Sequence, residues 1–321
     1  MHAIGIDLGG TNIKAALVHK TFGLVNTNSV PTEAEEGKEH VLDQISLAVK
    51  PFLKRRNRVL GIGIGAPGTI DLDRKSLIHP PNMPGWGIVN LRSVLKKRLG
   101  SRLNIFVEND ANAAALGSGH YGAARNYKHF IMITLGTGVG GAIVFNNRIF
   151  RGETGAAGEI GHMSIDYDGP PDMTGVNGAI EAYLGQRFLT GHAREFLVKY
   201  PKSSLYTAPG LTNLTPATIA GAAMNGDPGA TEILRWAGRK LGCVLGGVIN
   251  LLDIRTIVIG GGVSNAGDLL LTPVREVIES YIKPGMRESV VVIQETLGNE
   301  AGMLGAASLV FDQIDDYNRK R

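Results

Sequence analysis

The chain has 321 residues, 43% hydrophobic and 19% charged, which suits one or two globular domains and excludes a disordered or fibrous protein. Its net charge of +4 is spread among interleaved acidic residues, and the most basic run, Lys54-Arg55-Arg56-Asn57-Arg58, reads as a solvated helix end rather than a nucleic-acid surface. A single cysteine, Cys243, excludes an internal disulfide framework, no apolar segment reaches membrane-spanning length, and the first strand starts at once, so a cytoplasmic protein without a signal peptide is expected.

Apolar runs at Ala3–Leu8, Ile13–Val18 and Leu24–Val30 predict a three-stranded meander. A helical pattern covers about Glu39 to Lys54, with Pro51 breaking its end. Val59–Ile64 is a buried strand, and Gly65-Ala-Pro-Gly68 turns out of it. Leu91–Leu99 is a short amphipathic helix, Leu103–Val107 a strand, and Asp110–Gly119 an Ala-rich helix. The same order restarts at Phe130, with an insertion between about Gly152 and Tyr200. Thr215-Pro216 is a helix start, Trp236–Leu252 a long apolar helix and Ile254–Ile259 a strand. A turn at Gly260-Gly261-Gly262 leads to a helix near Asp268–Tyr281, and the last helix, Glu300–Phe311, carries small residues suited to close packing on a sheet. Duplicated strand-rich units with crossover helices predict an α/β protein with two similar lobes and a ligand cleft between them. The expected division is 1–117, closed by the C-terminal helix at about 302–321, and 118–301.

One pattern is written twice. Ile4-Gly-Ile-Asp-Leu-Gly-Gly-Thr-Asn-Ile-Lys14 and Ile131-Met-Ile-Thr-Leu-Gly-Thr-Gly-Val-Gly-Gly141 each place a Gly/Thr turn between two apolar runs. Such a hairpin turn presents backbone N–H groups that an anion can approach closely. The turns therefore read as phosphate cradles, with Asp7 placed to hold a Mg²⁺ through water. The nucleotide set is Asp7, Gly9, Gly10, Thr11, Asn12 and Lys14 from the first turn and Gly136, Thr137, Gly138 and Gly140 from the second. Gly260, Gly261 and Gly262 complete it as an adenosine contact. An apolar strand rather than a helix follows each turn, which excludes a P-loop and a dinucleotide fingerprint.

Asn109 and Asp110 stand where a strand meets a helix, so Asp110 is either a helix cap or a general base. Strand alternation turns Glu108 away from the face Asn109 uses. Gly158-Glu-Ile-Gly-His162 and Glu181 supply two carboxylates and an imidazole that can bracket a polyol. Asn82 offers an amide to a hydroxyl, and Trp86 is either a ring at the site or core.

In this order, these residues resemble the ROK family of sugar kinases in the actin/hexokinase-like ATPase superfamily, through nearly the whole chain. The resemblance implies a two-lobed, actin-like ATPase (ribonuclease H-like) α/β fold with an interlobe cleft. It implies Asp110 as the catalytic base and Gly65, Asn82, Asn109, Asp110, Glu159, His162 and Glu181 as the sugar set. The family signature follows its Gly-His pair with three cysteines that, with the histidine, hold a structural Zn²⁺. Here those positions are Asp172, Thr174 and Ala179, so no structural zinc is expected, and Asp166, Asp168 or Asp172 must orient His162 instead.

The expected activity is ATP- and Mg²⁺-dependent phosphorylation of a hexose, glucose first. N-acetylglucosamine, N-acetylmannosamine, fructose, mannose and allose stand as alternative substrates, and polyphosphate as an alternative donor. A sugar sensor without turnover is the alternative from another class. The family's repressors carry an N-terminal DNA reader that this chain is not expected to have; neither nucleic acid nor membrane is expected as a partner, and a homodimer is.

Overall fold

The computed structural model describes residues 1–53, 58–81, 83, 85–100 and 103–319. The chain forms two compact units: Met1–Lys128 with Ile143–Ala157 and Asn299–Arg321, and His129–Ala142 with Gly158–Gly298. The first stretch of the first unit runs past the helix that ends at Tyr121.

In the first unit β1 (His2–Leu8), β2 (Asn12–His19) and β3 (Gly23–Pro31) form the meander. β4 (Val59–Ala66) lies parallel to β1. Three two-residue strands, β5 (Thr69–Ile70), β6 (Leu77–Ile78) and β7 (Ile88–Val89), make a small antiparallel sheet too short to show in the sequence pattern. β8 (Asn104–Asn109) pairs parallel with β4 and completes the main sheet in the order β3-β2-β1-β4-β8. That pairing, through Ala66↔Asn109, keeps Gly65 and Ala66 in the strand rather than in a turn.

The second sheet is built from β9 (Phe130–Leu135), β10 (Val139–Phe145), β11 (Arg148–Ile149), β12 (Thr256–Gly260) and β13 (Val291–Gln294), in the order β11-β10-β9-β12-β13. The two orders match position for position: three sequential strands, then two that join in parallel. The repeat read in the sequence is therefore a repeat of topology.

α1 (Lys38–Val49) buries Val41, Leu42, Ile45, Ala48 and Val49. It stops short of the predicted Lys54 because Pro51 has no N–H for the next helical bond; Lys50–Phe52 is a single 3₁₀ turn, and residues 54–57 lie outside the described set. α2 (Leu91–Leu99) starts where the Asn90 side chain accepts the Ser93 N–H and ends at Gly100, whose left-handed φ of 56° favours glycine. α3 (Asp110–Tyr121) follows β8 without a loop. Trp86, 3% exposed, belongs to the hydrophobic core, which settles it as packing.

In the second unit come α4 (Glu181–Leu184), α5 (Gln186–Leu197), α6 (Ala208–Thr212), α7 (Pro216–Met224), α8 (Pro228–Leu252) and α9 (Asp268–Tyr281). α8 begins two turns before the apolar stretch that announced it, because Asp227 caps it by accepting the Ala230 N–H (2.9 Å) and Pro228 sits at its first position. Thr215 caps α7 in a reciprocal box with Thr218. Thr215→Ala should cost about 1 kcal/mol, read as a lower urea midpoint; an unchanged midpoint would mean water replaces the cap fully.

α10 (Ala301–Arg319) returns to the first unit and lies on β1, β4 and α3. The approach is backbone to backbone: a Cβ on Gly5 would overlap the Met303 carbonyl, one on Gly63 that of Ala306, and one on Gly305 that of Ala113. Among the described residues no helix is long and apolar enough to cross a membrane.

Candidate active site

In the first unit the β1–β2 turn closes through Gly9 N–H donating to Asn12 O (3.1 Å). Gly10, Thr11 and Asn12 are exposed, and a Cβ on Gly10 would meet nothing within 4 Å, so the backbone there is approachable. Thr32, fully buried after β3, holds the turn from beneath: its hydroxyl donates to Gly9 O (2.7 Å) and its N–H to Thr11 O (2.9 Å). Asp7 and Lys14 face each other as cross-strand partners. Burial raises the Asp7 carboxyl above its ordinary pKa while Lys14 pulls it down.

The β8–α3 junction carries Asn109 and Asp110. Asn109 is the N-cap, its Oδ1 accepting N–H groups of Ala111 (2.9 Å) and Asn112 (3.2 Å) while its Nδ2 donates to Gly68 O (3.2 Å). The capping role that the sequence left open for Asp110 thus falls to Asn109. Asp110 is the exposed first residue of α3, with Oδ1 accepting the Ala111 N–H (2.8 Å). Glu108 points the other way and is fully buried, ion-paired with Arg74 Nε (2.8 Å) and Arg151 Nε (3.3 Å). Gly65 is buried under the first turn of α3, against Ala113 and the Asp110 backbone, so it makes room for the junction rather than presenting a surface. Asn82 lies outside the described residues.

In the second unit the β9–β10 turn leaves Gly136 and Thr137 exposed, and a Cβ on Gly136 would meet nothing within 4 Å. Its carbonyls are held by the first residue of α5: Gln186 N–H donates to Gly136 O (3.2 Å) and Thr137 O (3.0 Å). Glu181 accepts the Val139 N–H on Oε2 (2.8 Å), and a Cβ on Gly138 would overlap that oxygen. Glu181 therefore stands beside both His162 and the glycine turn. Gly140 lies within β10. Gly261, with φ of 88°, packs against the Leu135 carbonyl, which brings the Gly261-Gly262 turn beside the β9–β10 turn. Gly260 is buried at the end of β12 with Met132 and Glu295 over it, so only Gly261 and Gly262 are exposed.

Glu159 precedes the 3₁₀ turn Ile160–His162 and His162 ends it, with Glu159 Oε2 3.9 Å from His162 Nε2. Burial raises the Glu159 pKa; His162 opposes this and Glu181 adds to it. Of the three acidic candidates for orienting His162, Asp166 and Asp168 are exposed, and Asp172 takes the position: its Oδ2 lies 2.6 Å from His162 Nδ1. Burial works against the Asp172 charge. Hydrogen bonds from Thr174, His162 and Val176 outweigh it and hold the pKa at about 2. A carboxyl lowered on folding contributes stability above its unfolded pKa and loses it as pH falls toward the folded value. The contribution of Asp172 is thus complete above about pH 4 and fades toward pH 2. His162, Asp172 and Glu181 each offer one ligand atom within 4.8 Å of the others. Ala179, at the third cysteine position, is fully buried and offers no donor.

The family model described as "ROK family" matches residues 3–313. The chain belongs to the ROK family. A glucokinase of Halalkalibacterium halodurans is 36% identical over 324 residues, covering 98% of this chain and 97% of that protein. A glucokinase of Thermotoga maritima is 34% identical over 312 residues, covering 97% and 98%. The crystal structure of a ROK family glucokinase from Streptomyces griseus in complex with glucose and AMPPNP matches with a TM-score of 0.84 at 33% identity, over 97% of this chain and 100% of that one. The protein is accordingly a sugar kinase of the ROK family with the actin-like ATPase fold. Thr32 and Gln186 went unread in the sequence because each acts through a backbone contact with a distant turn. The one available signal, a polar residue just after a strand or opening a helix, is too common to single them out.

Proposed function

We propose that this ROK kinase phosphorylates glucose on its 6-hydroxyl with ATP. The observation that carries the reading is the likeness to the S. griseus glucokinase bound to glucose and AMPPNP, over nearly the whole of both chains. The residues fit that chemistry. The open backbone at Gly10 and Gly136 suits a polyphosphate, and a cation beside Asp7 would favour the charged form that burial opposes. Mg·ATP, when bound, supplies the phosphoryl group. Glu159, His162, Glu181, Asn82 and Asn109 hold the sugar hydroxyls, and Asp110 accepts the proton of the attacking hydroxyl. The same reading has no structural zinc: three protein donors hold Asp172 Oδ1, His162 Nδ1 faces Oδ2, and Ala179 has no donor to give.

The test is a coupled ADP-release assay with Mg·ATP against glucose, mannose, fructose, allose, N-acetylglucosamine and N-acetylmannosamine, with polyphosphate as a second donor. Glucose should give the highest kcat/KM. A higher value for an N-acylhexosamine would replace glucose as the substrate, and binding of sugar without ADP release would replace the kinase by a sensor.

A further inference from the structure

The segment after His162 is a small hairpin made for one carboxylate. Pro171 and Asn177 form an antiparallel bridge, Asp172 N–H donates to Val176 O (3.1 Å), and Gly175 turns the chain at φ 92°. Inside it, Asp172 Oδ1 accepts the Thr174 hydroxyl (2.7 Å), the Thr174 N–H (2.8 Å) and the Val176 N–H (3.0 Å). Among the described residues its other oxygen bonds to His162 Nδ1 alone, at 2.6 Å, and the Asp172 side chain has no exposed surface.

We infer that Asp172 is a positioning residue that fixes the proton of His162 on Nδ1 and so presents Nε2 to the sugar as a hydrogen-bond acceptor, with no metal taking part. An ionised carboxylate can only accept, so the nitrogen facing it must carry the proton. In the neutral ring the other nitrogen, Nε2, is then left with a lone pair. It lies 3.9 Å from Glu159 Oε2, too far for a direct bond and close enough for two neighbouring hydroxyls to donate, one to each. The ligand class read by this pair is a vicinal diol. Three donors on Oδ1 keep the carboxylate from swinging away, which a lone surface aspartate would not manage. This inference rests on the proposed sugar-binding role of His162 but is tested apart from it.

The first measurement is a long-range ¹H–¹⁵N spectrum of the wild-type protein without sugar or nucleotide, with His162→Gln to assign the signal, alongside the metal content of the purified chain. The expected result is a protonated Nδ1 with a lone-pair Nε2, in protein that carries no stoichiometric metal. A proton on Nε2 in the neutral ring, or about one zinc per chain whose removal by a chelator shifts the His162 signals, would overturn the inference. The second uses Asp172→Asn, whose single side-chain oxygen cannot serve both the hairpin and the imidazole. Sugar KM should rise about tenfold with kcat changed much less, and the His162 signals should show a tautomer mixture. Unchanged KM with an unchanged tautomer would also overturn it. If Asp172→Asn does not fold, the wild-type spectrum still decides. Silence across the sugar panel with Nδ1 protonated would remove the proposed glucose reading and leave the positioning role of Asp172 standing.

Discussion

Asp110→Asn should lower kcat by at least about 100-fold while sugar affinity changes only a few-fold. The cap of α3 does not depend on Asp110. Asn109, not Asp110, caps α3, holding the N–H groups of Ala111 and Asn112 and reaching back to Gly68 O. Asp110 Oδ1 accepts the Ala111 N–H, and an amide oxygen can accept it equally well. The helix start therefore survives, and what disappears is the capacity to take a proton. An amide has no useful basicity, so the attacking hydroxyl must lose its proton to water. Steady-state kinetics with coupled ADP release gives kcat, and calorimetric titration of sugar gives the affinity. A kcat within about threefold of wild type, too small a loss for a general base, would take Asp110 out of that role.

Those parts of the site that depend on local rules were legible in the sequence; those that depend on where the chain returns were not. The two Gly/Thr turns showed because glycine and threonine between apolar runs have few other uses, and they fall at matching places in two sheets of identical order. α2 showed to the residue because Asn90 and Gly100 punctuate both ends. The end of α1 was overrun because helical periodicity continues through Pro51 although the hydrogen bonds cannot. The three acidic residues after His162 looked alike in sequence, and only the 171–177 hairpin separates the buried Asp172 from the exposed Asp166 and Asp168. Glu181 read as a polyol contact, yet its bond to Val139 N–H spans 42 positions and ties it to the glycine turn as well. No spacing rule reaches that far.

Glu108→Ala should destabilise the first unit by about 3–5 kcal/mol, the range for removing one partner of a buried ion pair. Glu108 is fully buried and serves four partners. Oε2 takes Arg74 Nε at 2.8 Å and pairs with Arg151 Nε at 3.3 Å, the latter without hydrogen-bond alignment. Oε1 accepts the Asn109 N–H (3.0 Å) and Asn112 Nδ2 (3.2 Å). Arg151 cannot leave when the carboxylate goes, because its other nitrogens donate to the carbonyls of Leu72, Ile70 and Asp71 at 3.0–3.1 Å. Burial already depresses the Arg151 pKa; Glu108 opposes that and Arg74 adds to it. Removing Glu108 thus leaves two mutually repelling guanidinium groups under the β8–α3 junction with nothing between them, and frees the backbone of Asn109, next to Asp110. Urea denaturation gives the stability, and kcat measured well below the unfolding midpoint should fall with it, since Asp110, the proposed base, is then carried on a loosened turn. A loss under about 1 kcal/mol would put the pair at the near-zero value of a solvent-exposed one, and normal kcat in a strongly destabilised variant would separate the anchoring of the fold from the placement of Asp110.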